Sequence, residues 1–390
     1  MTSNTNLDYG PMRDDEQDLL GALIGQALFF PAEDSRGWIG QLGPRNFRVV
    51  RRGGRPIAGL GLIPMGHWFG GASVRAAGVT AVGVAPEHRG GGVGLFMIQR
   101  ALEEIHAAGT PLSSLYPATD AFYRRAGFER ASTRTIYEIA PAAIGIRDYA
   151  LDVVPAGLEH EPEIRRLYAD RARVSAGQID RHEFTWLMLH HHEKRSPYRY
   201  LARRGGRAEG YVAFAQSGRD DPIVVADICA RTPETGRRLW TLLADHRTMV
   251  EKIRWSGAPN DGLLFLLPEQ KHRVHWTLDL MLRIVDVAGA LAARGYPPAV
   301  SAALHLDVRD QLLPWNDGRF VLEVADGRGS VRPGGNGRLL LNARGLAPLY
   351  SGYMTPHELR MADLLDGPDA DLALAAAVFA GPRPWTPDMF

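Results

Sequence analysis

The stretch that most constrains the fold of this chain spans residues 79–94, which read VTAVGVAPEHRGGGVG. Its apolar first part, 79–84, predicts a buried strand, and the apolar spacing of residues 95–105 predicts a helix. Between them lie a basic pair, His88 and Arg89, and a run of glycines. A glycine-rich turn between a strand and a helix points backbone N–H groups at a phosphate, and the helix dipole adds positive charge there. The stretch therefore predicts a phosphate-binding turn in an α/β domain, with a plain glycine-rich loop as the alternative.

The spacing of this turn separates it from two other phosphate loops. No Gly-Lys-Ser/Thr follows, as a Walker loop requires, and the two-glycine opening and downstream acid of a dinucleotide fold are missing. The pattern Arg89-x-x-Gly92-x-Gly94, after a strand that ends Val-x-Val-x-Pro, resembles the acyl-CoA motif of the GNAT N-acetyltransferases. The resemblance implies that strand backbone pairs with the pantetheine arm of acetyl-CoA and that turn amides hold its pyrophosphate. The residues that it assigns to the cofactor are Val82, Gly83, Val84, Arg89, Gly90, Gly91, Gly92, Val93, Gly94 and Leu95.

A second motif follows about thirty residues later, where residues 122–128 read FYRRAGF. Phe-Tyr-x-x-x-Gly-Phe resembles the second GNAT signature, in which the tyrosine lies beside the thioester sulfur. A phenol can protonate a departing thiolate, so the resemblance implies that Tyr123 is the general acid. A tyrosine anchored in the core is the alternative.

The remaining elements of this region predict a mixed sheet with flanking helices. A helix is predicted from Asp14 to Phe29, followed by a loop that contains Phe30 and Trp38. Aromatic residues in such a loop either cover the core or line a pocket, and both interpretations stay open. Further strands, a crossover helix after the glycine turn and a final strand at 133–139 agree with the GNAT element order.

Composition limits the classes of protein to consider. A length of 390 residues predicts two or three domains, and Lys+Arg 45 against Asp+Glu 44 gives no sign of a nucleic-acid or membrane partner. The single Cys229 rules out an intramolecular disulfide and fits a reducing compartment. A polar N-terminus without a signal peptide, and no apolar stretch long enough to span a membrane, lead us to expect a soluble cytoplasmic protein.

A second α/β unit is predicted beyond a linker at 141–150. Two helices, three strands and a helix from Pro233 repeat the order of the first unit, but residues 230–235, ARTPET, stand where the glycine turn would be. This indicates a second GNAT-like domain that has lost its cofactor site. Histidines 190–192, with His182 and Glu193, do not predict a metal site, because adjacent residues on a helix point in different directions.

The last part of the chain predicts an α+β domain and a docked tail. Residues 281–296, MLRIVDVAGALAARGY, begin a region that predicts a small antiparallel sheet followed by late helices, which resembles a sterol-carrier-protein type-2-like domain. The final residues 382–390, PRPWTPDMF, contain three prolines that stiffen the segment. Because the tail also carries Trp385 and ends in Phe390, we expect it to pack against the body of the protein.

The whole chain resembles the enhanced intracellular survival (Eis) acetyltransferase family, which combines two GNAT domains with a sterol-carrier-like domain. The domains implied are 1–140, 151–280 and 281–390. In that family the terminal carboxylate enters the active site of the first domain and accepts the proton of the amine, which assigns Phe390 as the base. The resemblance to the family also implies a hexamer. Phe30, Trp38 and Ala81 are assigned to the amine pocket. Members often have an acid before the terminal aromatic, whereas this chain has Met389, which implies weaker attraction for polycations such as aminoglycosides.

The sequence thus predicts direct transfer of an acetyl group from acetyl-CoA to a primary amine (aminoglycoside-like, polyamine or lysine side chain) without a metal. A strand N–H near Val82 is the candidate donor to the oxyanion. An α-carboxylate has an ordinary pKa of about 3.5, so Phe390 orients the amine and accepts its proton, directly or through water. Two alternatives stay open: a tandem GNAT that uses another acyl-CoA, and a lipid or sterol carrier built on the third domain.

Overall fold

The computed structural model describes residues 7–190, 196–216, 218 and 220–390. The first region contains, in chain order, β1 (Leu7–Pro11), α1 (Gln17–Leu28), α2 (Ala32–Leu42), β2 (Phe47–Arg52), β3 (Arg55–Phe69), β4 (Ala72–Val84), α3 (Val93–Ala107), β5 (Leu112–Leu115), α4 (Asp120–Arg124) and β6 (Glu129–Ile139). The second contains β7 (Asp152–Pro155), α5 (Glu161–Arg173), β8 (Ile179–Asp180), α6 (Glu183–His190), β9 (Tyr198–Arg204), β10 (Arg207–Ala215), β11 (Ile223–Ala230), α7 (Pro233–Ala244) and β12 (Ile253–Gly257). The third contains β13 (Arg273–Ile284), α8 (Val287–Ala293), β14 (Ala302–Arg309), β15 (Gly318–Ala325), β16 (Arg328–Pro333), β17 (Leu339–Asn342), α9 (Ala343–Ser351), α10 (Pro356–Met361), β18 (Leu365–Asp366) and α11 (Asp369–Val378).

One large sheet contains the strands of the first two regions together with β13 of the third. Its order is β1-β2-β3-β4-β5-β13-β6-β12-β11-β10-β9-β7, with β8 paired to β3. The pairs β4–β5 and β11–β12 are parallel, and the other neighbours are antiparallel. The predicted fold, a mixed sheet flanked by helices, is therefore confirmed, with the two units joined edge to edge at β6 and β12.

The two units share a local layout that confirms the predicted repeat. In the first, β4 pairs with β5 only from Ala76 to Gly78 before the chain turns into α3. In the second, β11 pairs with β12 only from Ile223 to Val225 before the chain turns into α7. The second turn has no glycine, and the side chain of Thr232 instead caps α7 by accepting a hydrogen bond from the Thr235 N–H.

Strand β13 brings the chain from the second region back to the strands of the first. Residues 281–284, where the third domain was predicted to begin, pair with β5 on one side, and residues 273–282 pair with β6 on the other. Met281, Leu282 and Ile284 are fully buried, as the apolar run of a central strand requires. The chain thus completes the sheet of the first unit before it enters the sterol-carrier-like region.

The third region corrects one expectation about its sheet. Its strand order is β16-β15-β14-β17-β18, and β14 and β17 are parallel, so the sheet is mixed and the prediction of an antiparallel sheet was wrong. Strand β16 was not predicted, because its six residues are mostly exposed and lack an apolar face. Within the described parts of the chain, the helices are all too short or too polar to cross a membrane.

The loop predicted around Trp38 was also wrong, because this residue lies in helix α2. The helix begins after Pro31, carries Glu33 and Asp34 in its first turn and ends at Leu42, with Gly43 as its C-cap. Acidic residues in the first turn favour a helix through its dipole. Two glycines inside α2, at 37 and 40, lower its intrinsic helix propensity and hid it from the sequence analysis.

Ion pairs from the third region hold the segment that carries the second motif. Arg283 and Asp310 form a buried pair at 2.6 Å, with side chains 1% and 2% exposed. Gly127 has φ +81°, and a Cβ on it would lie 2.8 Å from Cζ of Arg283, so only glycine fits there. Glu129 accepts hydrogen bonds from both Arg124 and Arg344. The end of α4 is therefore fixed from two sides.

Candidate active site

A cleft opens in the large sheet where β4 separates from β5. Their last pair is Gly78 with Ser114, whereas β4 continues to Val84. The other edge of β4 stays paired with β3 through residue 84. Unpaired N–H and C=O groups at a strand edge can bind an extended ligand as an added strand would. The open edge of β4 thus offers a backbone binding surface.

A β-bulge lies inside this open stretch. Gly61 pairs with Thr80 and Gly59 with Gly83, which leaves Ala81 and Val82 together opposite one residue of β3. Ala81 has φ +51°, a backbone conformation that costs free energy for a residue with a Cβ. Because a bulge takes backbone groups out of the strand ladder, it provides free donors at the mouth of the cleft.

The glycine turn at the end of β4 has the geometry of an anion site. Gly90 and Gly92 have φ +77° and +84°, and Gly92 is the N-cap of α3, a helix of 15 residues. The Arg89 Nε donates a hydrogen bond of 3.0 Å to the carbonyl of Val84, which fixes the turn against its strand. A Cβ on Gly90 or Gly91 would meet no atom within 4 Å, so the space above the turn is open.

At two further positions of the motif, Gly83 and Gly94, close packing leaves little room for a side chain. A Cβ on Gly83 would lie 2.8 Å from Cδ2 of Leu23, because α1 crosses β4 there. A Cβ on Gly94 would lie 3.1 Å from Cζ of Phe122, the residue before Tyr123. The structure therefore brings the glycine turn and the second motif into direct contact.

Tyr123 lies at the base of α4, in the apolar cluster under β4. Its side chain is only 6% exposed, and its ring makes edge-to-face contacts with Phe122 and Phe128 at 4.9 and 6.0 Å between centroids. Burial raises the pKa of its hydroxyl to about 12. Because a group with this pKa is protonated near neutral pH, Tyr123 holds a proton that it can donate.

Phe390 reaches the same cleft from the other face of the sheet. Its ring lies against Gly78, where a Cβ would be 2.8 Å from Cε2, and its centroid is 5.5 Å from that of Tyr116. Successive strand residues point to opposite faces, so Gly78 faces Phe390 while Val79 belongs to the cluster with Tyr123. Phe390 thus packs on one face of the sheet at the point where β4 and β5 separate, and Tyr123 belongs to the core cluster on the opposite face.

The C-terminal tail is docked along its length, as its aromatic residues predicted. Its backbone makes hydrogen bonds to Ala176 and to Thr133 on β6. The Arg134 Nε donates to the carbonyl of residue 387 at 2.9 Å, and the Tyr116 hydroxyl donates to the carbonyl of Asp388 at 2.6 Å. These partners were missed in the sequence because they lie more than 200 positions away from the tail and belong to no local motif.

The three residues assigned to an amine pocket are not all brought together. Trp38 makes an edge-to-face contact with Phe184 of α6 at 5.2 Å, and Trp38, Ala81 and Phe390 all pack against the same core cluster. Phe30 instead is 60% exposed, between α1 and α2. Two of the three therefore pack on the core cluster that Phe390 also borders, whereas Phe30 lies at the surface.

His67 is a buried titratable group next to the cleft that sequence reasoning also missed. Its Nδ1 lies 3.1 Å from the carbonyl of Gly177, which can only accept, so Nε2 accepts from the Ser114 hydroxyl at 2.8 Å. Burial lowers the pKa of His67 to about 4. The ring is therefore neutral at pH 7. Its hydrogen bond holds Ser114, which forms with Gly78 the last pair of β4 and β5 before the cleft opens.

Metal ligands are not clustered in the part of the chain that the structure describes, where no three His, Cys, Asp or Glu side chains could hold one ion. Three of the residues that were rejected as metal ligands on the basis of the sequence, His191, His192 and Glu193, lie outside the described residues.

Comparisons with known proteins agree with this architecture. Residues 9–131 and 177–284 each match the acetyltransferase (GNAT) domain family, and residues 287–387 match the sterol carrier protein domain family. An uncharacterized N-acetyltransferase of Streptomyces coelicolor is 30% identical over 82% of this chain and 82% of its own length.

Solved structures match over the full length. A GCN5-related N-acetyltransferase from Anabaena variabilis superimposes with a TM-score of 0.95 and 37% identity, covering 98% of this chain and 100% of that one. Eis1 from Mycobacterium abscessus gives a TM-score of 0.80 and 25% identity over 98% of this chain and 100% of its own. The same three-part arrangement therefore recurs in these relatives.

The buried His67 predicts a pH dependence of stability. Unfolded histidine binds a proton below about pH 6.5, whereas folded His67 resists protonation until about pH 4, so stability falls as the pH drops through this window. We expect the wild-type free energy of unfolding to fall by about 3 kcal/mol more than that of His67→Gln between pH 7 and pH 4, measured by urea unfolding. The exposed His357→Gln is the control and should follow the wild type. Parallel curves for wild type and His67→Gln would contradict the assignment.

Proposed function

We propose that this chain, which belongs to the Eis-like N-acetyltransferases of the GNAT family, transfers the acetyl group of acetyl-CoA to a primary amine. The amine attacks the thioester directly. The observation that carries the proposal is the cleft between β4 and β5, with a glycine turn at its end and a buried tyrosine and the chain terminus on opposite faces. A homohexamer that acts in the cytoplasm is part of the same proposal, by resemblance to the family.

Acetyl-CoA binds along the open edge of β4 in this proposal. The backbone of Val82, Gly83 and Val84 pairs with the pantetheine arm, as an added strand would. The amides from Arg89 to Leu95 hold the pyrophosphate, supported by the positive φ angles of the turn and the open space above Gly90 and Gly91. The thioester then lies at the bulge, where a backbone N–H near Val82 donates to its carbonyl oxygen.

The reaction needs two proton transfers, one on each side of the sheet. The amine nitrogen forms a bond to the acetyl carbon, the carbon–sulfur bond breaks, and CoA leaves as a thiolate. The carboxylate of Phe390 accepts the proton lost by the amine, directly or through water, and Tyr123 donates a proton to the sulfur. Solvent then restores both groups. No covalent intermediate with the protein is required.

The surroundings of the tail favour an amine of low charge over a polycation. A cavity of about 160 Å³ borders Met389, and its lining includes Arg134, Arg254 and Asp388. The carboxylate of Asp388 is paired with the buried Arg181. Glu138 pairs with Arg254 at 2.8 Å, whereas the hydrogen bond of Arg134 goes to the carbonyl of residue 387 and not to a carboxylate. Because Met389 supplies no acid beside the charge of Arg134, aminoglycosides and polyamines are expected to be poorer acceptors than single amines such as a lysine side chain.

Two measurements test the function. Isothermal titration with acetyl-CoA should show binding, and CoA release with a panel of monoamines, aminoglycosides, polyamines and lysine-containing peptides should identify the acceptor. No binding of acetyl-CoA, together with binding of lipid, would refute the enzyme and favour a carrier. Faster turnover with a longer acyl-CoA than with acetyl-CoA would favour the alternative of a tandem GNAT that transfers another acyl group.

Replacement of Tyr123 tests the general acid. Tyr123→Phe should lower kcat by roughly ten- to a thousandfold, with a small change in the KM for acetyl-CoA, because only the proton for the sulfur is lost. Since the pKa of Tyr123 is raised to about 12, loss of its proton should not reduce wild-type kcat below about pH 11. Tyr137→Phe is the matched control, since its hydroxyl bonds to Ala258 away from the cleft. An unchanged kcat in Tyr123→Phe refutes the role.

Extension of the chain tests the terminal base. Two or three residues added after Phe390 should abolish acetyl transfer without a change in the melting temperature, because the carboxylate moves away from the cleft while the folded core is untouched. The same residues added at the N-terminus are the control. A fully active C-terminally extended protein would falsify the assignment of Phe390.

A further inference from the structure

The second unit holds the chain terminus through one buried arginine. Arg181, directly after β8, donates from Nε to both carboxylate oxygens of Asp388, at 3.0 and 3.1 Å. Its Nη1 donates to Asp227 of β11 at 2.6 Å. The side chains of Arg181, Asp227 and Asp388 are 0%, 3% and 2% exposed. A residue two positions from the terminus is thus tied to the sheet of the second unit.

The surroundings of Arg181 fix its orientation. The ring of Tyr168 lies under the guanidinium, 3.6 Å from Cζ to the centroid, and the ring of Trp186 lies at 4.8 Å. Asp227 is held in turn by Arg171 at 3.1 Å and by the Tyr211 hydroxyl at 2.7 Å. The two aromatic rings and the carboxylate of Asp227 fix the plane of the Arg181 guanidinium. Its hydrogen bonds to Asp388 therefore have a fixed direction.

The charges in this cluster persist despite burial. Burial opposes the ionisation of Asp227, but Arg171 and Arg181 hold its pKa at about 2. Burial likewise opposes the charge of Arg181, but Asp227 and Asp388 hold its pKa well above the ordinary value. A buried ion pair adds little net stability over an apolar contact of the same shape, and its best-attested use is to specify one register.

Register matters here because Phe390 follows Asp388 by only two residues. A slip of one residue would move the terminal carboxylate by about 3.5 Å, more than the length of a hydrogen bond. Tyr116 and Arg134 bind carbonyls of the same segment and could be satisfied by a shifted backbone, whereas only one side chain of the tail, Asp388, carries a negative charge for Arg181.

We propose that Arg181 and Asp388 form a positioning pair that sets the terminal carboxylate of Phe390 at the mouth of the cleft, and that the second unit serves as the clamp for this tail. The inference rests on the proposed function, since it assigns Phe390 a part in the reaction. It also gives the second unit, whose turn lacks the glycines, a function that does not require a bound cofactor.

The test uses the full-length protein with Asp388→Asn, which keeps the size of the side chain and removes its charge. Accessibility of the terminus is measured by the release of Phe390 by carboxypeptidase A, followed by intact mass. We expect release at least tenfold faster than in the wild type, because the tail loses its directional contact. We also expect kcat to fall roughly ten- to a hundredfold while the KM for acetyl-CoA changes less than twofold, because the glycine turn is untouched.

Two further variants separate positioning from general stability. Asp371→Asn is the matched control, because it removes an ion pair with Arg338 (2.7 Å, partly exposed) that does not involve the tail. It should keep wild-type kcat and resistance to carboxypeptidase. Asp388→Glu restores the charge with one extra methylene, so we expect resistance within a few-fold of the wild type but a kcat that stays reduced.

The outcomes distinguish this inference from the proposed function. Wild-type resistance to carboxypeptidase in a folded Asp388→Asn protein would overturn the clamp. Loss of resistance without any loss of kcat would overturn the catalytic part assigned to Phe390, and with it the positioning role. Loss of both in Asp388→Asn, with the expected behaviour of Asp388→Glu and Asp371→Asn, supports the proposal.

Discussion

The separation of β4 from β5 after Gly78 is the constraint on which the rest of the site depends. Two parallel strands that pair over three residues and then diverge leave one edge of β4 without its neighbour. The bulge at Ala81 interrupts the pairing of β4 with β3, and the glycine turn continues the same surface toward α3. Strand β13 keeps the sheet intact on the far side of β5, so the opening is local and does not split the domain.

Each of the three regions contributes to this opening. The first supplies the strands, the turn and Tyr123. The third fixes the motif around Tyr123 through Arg283 and Arg344, and it ends in the tail. The second receives the tail in a buried cluster centred on Arg181. The second repeat, whose turn lacks the glycines, thus contacts another part of the same chain.

Local chemistry made the first half of the site predictable. A strand, a basic glycine turn and a helix form one contiguous stretch, and Gly90 and Gly92 adopt the positive φ angles that only glycine takes readily. The FYRRAGF segment could be recognised for the same reason, because its residues are contiguous in the sequence. The tail partners were not, because Arg181 and Asp388 are 207 positions apart and meet only after three regions have packed. Helix α2 was not predicted because of its glycines, and the full extent of β13 was not predicted because its first half is exposed and mixes polar with apolar residues.

The most direct test of this account is a crystal structure with a non-hydrolysable thioether analogue of acetyl-CoA and a primary amine. The account predicts the sulfur within about 3.5 Å of the Tyr123 hydroxyl, and the amine nitrogen within hydrogen-bond reach of the Phe390 carboxylate, directly or through one water. Pyrophosphate oxygens should lie on the amides between Arg89 and Leu95. An analogue bound elsewhere, or a tail that leaves the cleft when the analogue binds, would contradict it.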